Sequence, residues 1–462
     1  MMIIRKLVYL LMPISLTACS KNFLDKKSDQ SQRVPAHVSE YAALLDNKNM
    51  NVNGLNLNAC GSDEYFITEA QYNSFPTGIT TLYERMAYDW EGDMSLAGEQ
   101  AGVDWKDNYN RIMQCNLVLE GLDNLNNVDD QQEFDRAKGT ALFIRSLNFF
   151  HLAEQYCLTP TVSEMEQALG IPLKLEVNFD RQVSRATLKK TYAQIIDDLT
   201  AAILLLPVSS NHTTRPGKAA AHALLAKVYL ILNEFDKVEM HAAEAIKINP
   251  YLLDLNKTEN VNTQPFPSLY ENREILFHGQ LIELTMPGMM DLDPELAALY
   301  KDDDLRPDHY FKNDGNNRVS LFGTYAGFND FSRPILFSGL AVDEVYLLHA
   351  EACARQSKLT TALESLNFLR KHRIDRSKYI ALSSTNKDEV LVWVLEERRR
   401  ELVLRGNRWG DIKRLNREPR YAKTLVRNNG AVQRTLPPGD LRFAWPLHEY
   451  AIIYDKLEQN PR

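Results

Sequence analysis

Aromatic and acidic side chains are concentrated between residues 63 and 93. Seven rings lie within 26 residues of this segment, and carboxylates are interleaved with them: Tyr65, Phe66, Tyr72, Phe75, Tyr83, Tyr88 and Trp90, with Asp63, Glu64, Asp89, Glu91 and Asp93. Aromatic rings stack on the flat apolar faces of sugars, and carboxylates accept hydrogen bonds from the hydroxyl groups. This mixture therefore suits a glycan, and it suits an extended peptide almost as well. The alternative is that the rings pack the segment onto a scaffold as core residues.

A second aromatic cluster could form the opposite wall of the same site. Its members are Tyr300, Tyr310, Phe311, Phe322, Tyr325 and Phe328. Both clusters lie in long segments rich in Gly, Pro, Asn and Asp, residues 51–93 and 256–338, and long insertions on a helical scaffold are where binding residues usually lie. We therefore predict these ligand-binding residues: Asp63, Tyr65, Phe66, Tyr72, Tyr83, Tyr88, Trp90, Tyr310 and Tyr325.

A block of charged residues near the C-terminus could be a catalytic centre or a structural network. Glu401 and Arg405 are four residues apart, and Asp411 lies three residues from both Arg408 and Arg414. Pairs at these spacings usually neutralise each other on one helix face. We therefore assign no catalysis here and predict a structural network that ties the last helices to the scaffold, made of Glu397, Glu401, Arg408, Trp409, Asp411 and Arg414.

Motifs of the common hydrolases, metalloproteases and nucleotide-binding proteins are missing from the sequence: H-E-x-x-H, G-x-S-x-G, the Walker loop and G-x-G-x-x-G. We therefore predict no enzymatic activity and no cofactor. His349 and Cys353 share one face of a helix while Glu351 points elsewhere, so we predict no metal site there. The acidic run Asp302-Asp303-Asp304 leaves structural calcium open as an alternative to a solvated loop.

The first nineteen residues predict export and lipidation. A basic start at Arg5-Lys6 leads into an apolar run over residues 7–16, which is too short to span a membrane. The ending Leu16-Thr17-Ala18-Cys19 resembles the bacterial lipobox, in which the cysteine thiol takes the lipid and becomes the mature N-terminus. We predict a lipoprotein signal peptide over residues 1–18, lipidation at Cys19 and a lipidated tether over residues 19–35.

The composition of the chain limits the class of protein that the predicted lipid would anchor. The 462 residues are 44% hydrophobic and 25% charged, as in ordinary globular proteins, and no later apolar run approaches the length of a membrane-spanning helix. The net charge of -8 argues against nucleic acid as a partner. The remaining cysteines are widely spaced, so they indicate no zinc site and leave one or two disulfides open: Cys60, Cys115, Cys157 and Cys353.

The dominant pattern after residue 35 is helical. Apolar spacing predicts long helices over residues 104–122, 134–156 and 184–206, the last ending at Pro207. Small and apolar residues over 219–250 fall at the offsets of a tetratricopeptide repeat, and a second unit follows over 343–373. We therefore predict an all-α fold, a tetratricopeptide-like helical repeat scaffold with long irregular insertions.

Ordered sequence blocks run from Cys19 to the C-terminus. They are Phe23-Leu24-Asp25, Tyr109-Asn110-Arg111-Ile112 with Asn116, Ala141 to Phe150, Lys218 to Leu230, Glu344 to Ala352 with Leu366 to Arg370, Glu397 to Leu402 with Gly406 and Arg408 to Arg414, and Gln459-Asn460-Pro461. In this order the blocks resemble the SusD/RagB family of outer-membrane lipoproteins of the Bacteroidetes. Arg405 departs from the glutamate usual in the family before the glycine, and Asn148 and His151 depart in the second long helix.

The resemblance implies a SusD-like N-terminal helical region over residues 36–210 and a RagB/SusD C-terminal region over residues 211–462. It further implies a non-catalytic lipoprotein in the outer membrane, facing outward. Such a protein caps a SusC-like TonB-dependent barrel and releases an oligosaccharide or an oligopeptide to it as a hinged lid. We favour a glycan as the ligand.

Two other functions stay open from the residues themselves. One is a helical polysaccharide-degrading enzyme that uses two of the many carboxylates. The other is a periplasmic scaffold whose repeats bind another protein.

Overall fold

The computed structural model describes residues 35–75, 78–95, 98, 102–159, 161–178, 181–258, 261–281, 284, 290–313, 319–321, 323–327, 334–429 and 432–462. The predicted signal peptide, Cys19 and all of the predicted tether except Pro35 lie outside the described residues, as do Phe322 and Phe328.

Helices dominate the structure, at about 51% of the chain, which confirms the predicted all-α class. The described helices are α1 (Val38–Leu45), α2 (Asn56–Gly61), α3 (Glu69–Asn73), α4 (Ile79–Tyr88), α5 (Val103–Asp123), α6 (Gln131–Tyr156), α7 (Leu188–Leu205), α8 (Lys218–Ile231), α9 (Phe235–Ile248), α10 (Pro294–Ala297), α11 (Arg306–Tyr310), α12 (Val342–Arg355), α13 (Leu359–Lys371), α14 (Lys387–Glu401), α15 (Arg408–Leu415) and α16 (Glu449–Ile453).

The three predicted long helices correspond to α5, α6 and α7. Helix α7 begins later than expected, because residues 185–187 pair as a strand with residues 169–172. Thr187 then caps the helix, since its side chain accepts a hydrogen bond of 3.3 Å from the Lys190 backbone N–H. Pro207 follows the end of α7, as predicted.

The two predicted repeat units form the helix pairs α8–α9 and α12–α13. The turn within each pair has the same geometry, because Asn233 and Ser357 both adopt left-handed backbone conformations, with φ of 58° and 64°. Small buried residues such as Ala226 and Ala242 let the first pair approach closely. The predicted repeat scaffold is therefore confirmed.

Short two-stranded sheets join segments that are distant in sequence. The described strands are β1 (Val52–Asn53), β2 (Tyr65–Phe66), β3 (Leu169–Pro172), β4 (Arg185–Thr187), β5 (Ile275–Phe277), β6 (Gln280–Leu281), β7 (Asp291–Leu292), β8 (Phe311–Asn313), β9 (Val319–Leu321), β10 (Leu340–Ala341), β11 (Leu425–Asn429) and β12 (Val432–Leu436).

Two of these sheets connect the insertions to each other. Strand β1 pairs in parallel with β6, and β2 pairs antiparallel with β7. Since β1 and β2 lie in the first insertion and β6 and β7 in the second, backbone hydrogen bonds hold the two insertions side by side.

Across the described part of the chain, the helices are all too short or too polar to cross a lipid bilayer.

The contact between α1 and α5 depends on a glycine. A Cβ at Gly121 would lie 2.1 Å from the Tyr41 ring. We expect Gly121→Ala to lower the free energy of unfolding by about 1–3 kcal/mol, measured by urea denaturation, because the buried Tyr41 ring would have to move. Gly92→Ala is the control, since a Cβ there would meet no atom within 4 Å. Equal effects of the two changes would contradict this packing.

Candidate functional site

The rings predicted in the first insertion are buried. Tyr65, Tyr88 and Trp90 are at most 2% exposed. Their polar atoms bind the protein itself: the Tyr65 hydroxyl donates to the Cys60 carbonyl at 2.6 Å, and the Trp90 Nε1 donates to the Gly61 carbonyl at 2.9 Å. These rings therefore form the core of the insertion.

Arg427 explains why so many rings gather there. Its guanidinium carbon lies 4.0 Å from the Tyr88 ring centre and 5.2 Å from those of Tyr65 and Trp90. It also donates a hydrogen bond of 2.6 Å to the Tyr65 carbonyl. The β11–β12 hairpin is thereby fixed to the first insertion by cation–π contacts that the sequence did not indicate.

The other predicted ligand-binding residues are also largely enclosed. Tyr72, Tyr83, Tyr310 and Tyr325 are each less than a tenth exposed, and Phe66 is half-buried. Tyr325 lies under the Arg405 guanidinium carbon, which is 4.3 Å from its ring centre. The expected aromatic pocket therefore does not form at these positions, because the rings pack on protein instead of facing solvent.

Asp63 is likewise an anchor for the insertion. Its carboxylate lies 2.6 Å from Arg408 and 3.1 Å from Lys423, and Arg399 is 3.6 Å away. Burial raises the pKa of Asp63, but these three cations outweigh burial and hold the pKa well below its usual range.

The second insertion is anchored by ion pairs around Glu401. Arg306 lies 2.9 Å from Glu401 and 2.7 Å from Glu397, and Arg373 lies 2.7 Å from Glu401 and 2.6 Å from Glu274. All five side chains are at most 1% exposed. Burial raises the pKa of Glu397, yet the arginines, first of all Arg306, lower it to about 2.

Three consecutive arginines of α14 reach three different parts of the fold. Arg398 binds Glu344 of α12 at 3.0 Å, Arg399 binds Asp293 at 3.1 Å, and Arg400 donates to the carbonyl of residue 299 at 3.2 Å. Successive side chains on a helix point about 100° apart, so consecutive positions can serve separate partners. We call the residues Glu397 to Glu401 with Arg408, Asp411 and Arg414 the charge hub.

The predicted structural network is present, but most of its predicted pairs are not. Asp411 and Arg414 pair at 2.8 Å as expected. Arg405 instead binds Asp343 at 2.6 Å, and Arg408 binds Asp63. Carboxylates that are distant in the sequence pair with these guanidinium groups, so the spacing of charges along the chain did not identify the partners.

Two further members of the network, Arg414 and Trp409, are buried and held by specific contacts. Arg414 also binds Glu351 of α12 through two hydrogen bonds of 2.6 and 2.9 Å. Trp409 is fully buried and stacks on Trp445 with ring centres 4.9 Å apart.

One group of acidic side chains in the described residues converges closely enough for a metal ion. Oxygens of Glu274, Asp343 and Glu401 lie within 4.8 Å of one another. Arg373 and Arg405 already occupy these carboxylates, so guanidinium groups supply the positive charge. Burial raises the pKa of Asp343 to about 7 despite Arg405.

The residues considered for metal binding have other contacts. Asp304 of the acidic run binds Arg306, and structural calcium at this run stays a prediction. The His349 Nδ1 lies 2.8 Å from the Ser365 hydroxyl. All four described cysteines are buried free thiols.

A solvent-accessible cleft of about 360 Å3 lies beside the first repeat. Its walls are the loop over residues 208–213, the N-terminus of α8, the end of α9 and the segment 270–276. Tyr270 is 66% exposed, and its ring meets the edge of His212 with ring centres 5.2 Å apart. We call this the Tyr270 cleft.

Two buried polar groups that line the Tyr270 cleft have no hydrogen-bond partner among the described residues. The Asn272 side chain is 1% exposed, and its Oδ1 accepts a hydrogen bond of 3.1 Å from the Glu274 backbone N–H. The amide orientation is thus fixed, which leaves Nδ2 without an acceptor; the Thr213 hydroxyl is also unpaired. Buried donors without partners are rare and mark where a ligand or water binds.

A larger cleft of about 630 Å3 lies between α15 and the segments 158–168 and 439–443. Its one aromatic lining residue, Phe443, is 4% exposed, so its ring offers little surface for stacking. The Tyr270 cleft is therefore the better binding candidate. The aromatic pattern of the sequence did not indicate this cleft, since Tyr270 stands apart from both aromatic clusters.

We expect Arg306→Met to lower the free energy of unfolding by about 3–5 kcal/mol at neutral pH, measured by urea denaturation, because it removes the one cation that Asp304, Glu397 and Glu401 share in the interior. Glu397 has a pKa of about 2 in the wild type, and removing Arg306, the first of the cations that lower it, would raise this pKa toward the value of the unfolded chain. The difference between wild type and variant should therefore shrink as pH falls from about 4.5 toward 2, because the wild type loses the stability that the low pKa provides.

Arg420→Met is the control for Arg306→Met, since the Arg420–Asp388 pair is about half exposed and should contribute less than about 1 kcal/mol. A loss from Arg306→Met as small as that from the control would show that the hub does not hold the second insertion.

Sequence and structure comparisons agree with this architecture. A SusD-like family model described as "Starch-binding associating with outer membrane" matches residues 22–230, and the SusD family model matches residues 343–452. SusD-like protein P38 of Formosa agariphila is 23% identical over 437 residues, covering 78% of this chain and 79% of the relative.

Solved structures share the fold. A SusD superfamily protein from Bacteroides thetaiotaomicron superposes with a TM-score of 0.71 at 20% identity, over 92% of this chain and all of the other. A SusD-like carbohydrate binding protein from Bacteroides vulgatus gives 0.70 at 18% identity, over 91% and 97%. With both family models matched in order and the repeat scaffold in place, the chain belongs to the SusD family.

Proposed function

We propose that this protein is a lipid-anchored binding protein of the outer membrane that captures a nutrient oligosaccharide. Membership of the SusD family, whose matched model is described as starch-binding and associated with the outer membrane, supports this function. The description of one structural neighbour as a carbohydrate binding protein also supports this function.

The observation that carries the proposal is the Tyr270 cleft. An exposed ring next to buried hydrogen-bond donors offers one apolar face for stacking and fixed polar groups for hydroxyls. Its volume of about 360 Å3 lies within the usual range of about 300–1,000 Å3 for ligand sites.

The protein would bind its ligand without breaking a bond and pass it to a SusC-like TonB-dependent barrel. Hinge motion of the whole protein against the barrel is compatible with the charge hub, because buried ion pairs make both insertions move with the scaffold. Lipidation at Cys19 would keep the protein next to the barrel, facing outward.

The first test uses native gels containing a panel of polysaccharides, with dipeptides and tripeptides in calorimetry. We expect retardation by at least one polysaccharide and about tenfold weaker binding in Tyr270→Ala, about 1.4 kcal/mol, since the stacking surface is lost. Tyr454→Ala is the matched control, because Tyr454 is 69% exposed and lies outside the lining of the cleft.

Three results would contradict this proposal. Binding of peptides alone would show that the ligand is a peptide. Equally weakened ligand binding in both tyrosine variants would show that the site lies elsewhere. Released reducing ends in the same incubations would indicate an enzyme.

The second test concerns the anchor. We expect Cys19→Ser to abolish incorporation of labelled palmitate and to release the protein from the membrane fraction, because the lipid on the Cys19 thiol is the proposed membrane anchor. Ser20→Ala should retain both properties. Resistance of the wild type to protease added to intact cells would place it in the periplasm and support the scaffold alternative.

A further inference from the structure

We infer that the Tyr270 cleft binds an anionic group of its ligand, the carboxylate or sulfate ester of an acidic oligosaccharide. The inference rests on the proposed function and specifies the ligand class of the same site.

The lining of the cleft has an unusual charge balance. The protein has a net charge of -8, yet none of the described lining residues is an aspartate or a glutamate. Arg273 is the charged residue among them. Carboxylates accept hydrogen bonds from the hydroxyls of a neutral sugar, and the described lining of this cleft has an arginine in place of a carboxylate.

Arg273 is available for a ligand. Its guanidinium carbon lies 4.7 Å from the Tyr251 ring centre, which orients the side chain. Among the described residues no carboxylate forms an ion pair with Arg273, and the neighbouring Glu274 pairs with Arg373 at 2.6 Å. The nearby Glu271 accepts a hydrogen bond of 2.8 Å from the Ser268 hydroxyl. A guanidinium group can form two parallel hydrogen bonds to a carboxylate or a sulfate.

The N-terminus of α8 adds a second source of positive potential. Helix α8 has 14 residues, and Gly217, Ala219 and Ala220 at its start line the cleft. Gly217 has no side chain to cap the helix. Within the first turn, the Lys218 N–H donates to the Pro207 carbonyl at 2.9 Å and the Ala220 N–H to the Gly217 carbonyl at 3.1 Å. Backbone N–H groups at such an end favour anions.

Asn272 adds a buried polar group to the lining of the cleft. It is 1% exposed, and its Nδ2 has no acceptor, while the Glu274 N–H fixes the orientation of the amide. A buried donor held in place beside an arginine and a helix N-terminus would gain most from an anionic oxygen.

The test compares matched charged and neutral probes by calorimetry at low salt. The first pair is a galacturonic acid trimer and its methyl ester. The second is a sulfated carrageenan tetrasaccharide and its desulfated form. The third is an alanine tripeptide with a free or an amidated C-terminus.

We expect the charged member of at least one sugar pair to bind about tenfold more tightly than its neutral partner. Added salt should reduce this difference. Arg273→Gln should remove it without affecting the neutral probes. Arg181→Gln is the matched control, since Arg181 is 59% exposed and pairs with Glu176, and both residues lie outside the lining of the cleft.

Which sugar pair shows the difference distinguishes carboxylate from sulfate. Equal binding within both sugar pairs, or a difference that survives in Arg273→Gln, would overturn the inference. A difference in the peptide pair alone would also overturn it and assign the cleft to peptides. If a neutral polysaccharide is retained while no charged probe is preferred, the proposed function stands and this inference fails; if no sugar binds, both fail.

Discussion

Charged groups buried around Glu401 impose the main constraint on this fold. A carboxylate removed from water is costly unless cations and hydrogen bonds replace the lost solvation. Glu401 meets this requirement through Arg306 from the second insertion and Arg373 from the end of the second repeat. The insertion and the repeats must therefore close on α14 together, because either one alone would leave the Glu401 carboxylate with only one of its two arginines.

The other charged residues of the charge hub are also paired in the interior, with partners from the rest of the chain. Arg398 and Arg414 engage Glu344 and Glu351 of the second repeat, while Arg408 engages Asp63 of the first insertion. Since consecutive hub residues serve different partners, a short stretch of sequence joins the repeat scaffold to both insertions. The strand pairs between the insertions complete this arrangement.

The anchoring has a consequence for recognition. Rings that fill the interior of the insertions cannot also stack on a ligand. The proposed binding site therefore uses side chains outside these interiors and outside the charge hub. Tyr270 and Asn272 lie where the second insertion meets the first repeat, between anchored elements. A cleft with rigid walls can hold its donors in fixed orientation before a ligand arrives, which reduces the entropy lost on binding.

The helices, the two repeat units and the family were predictable from the sequence, because they depend on local periodicity and on ordered motifs. The sequence also marked the hub residues as structural. It could not determine the ion-pair partners, since Arg405 and Arg408 bind carboxylates more than sixty positions away, Asp343 and Asp63. Nor could composition separate interior rings from exposed ones: Trp90 is buried because Arg427 and Gly61 lie against it, whereas Tyr270 is 66% exposed among the described residues. Burial depends on contacts between segments that are distant in sequence, and such contacts form only in the folded chain.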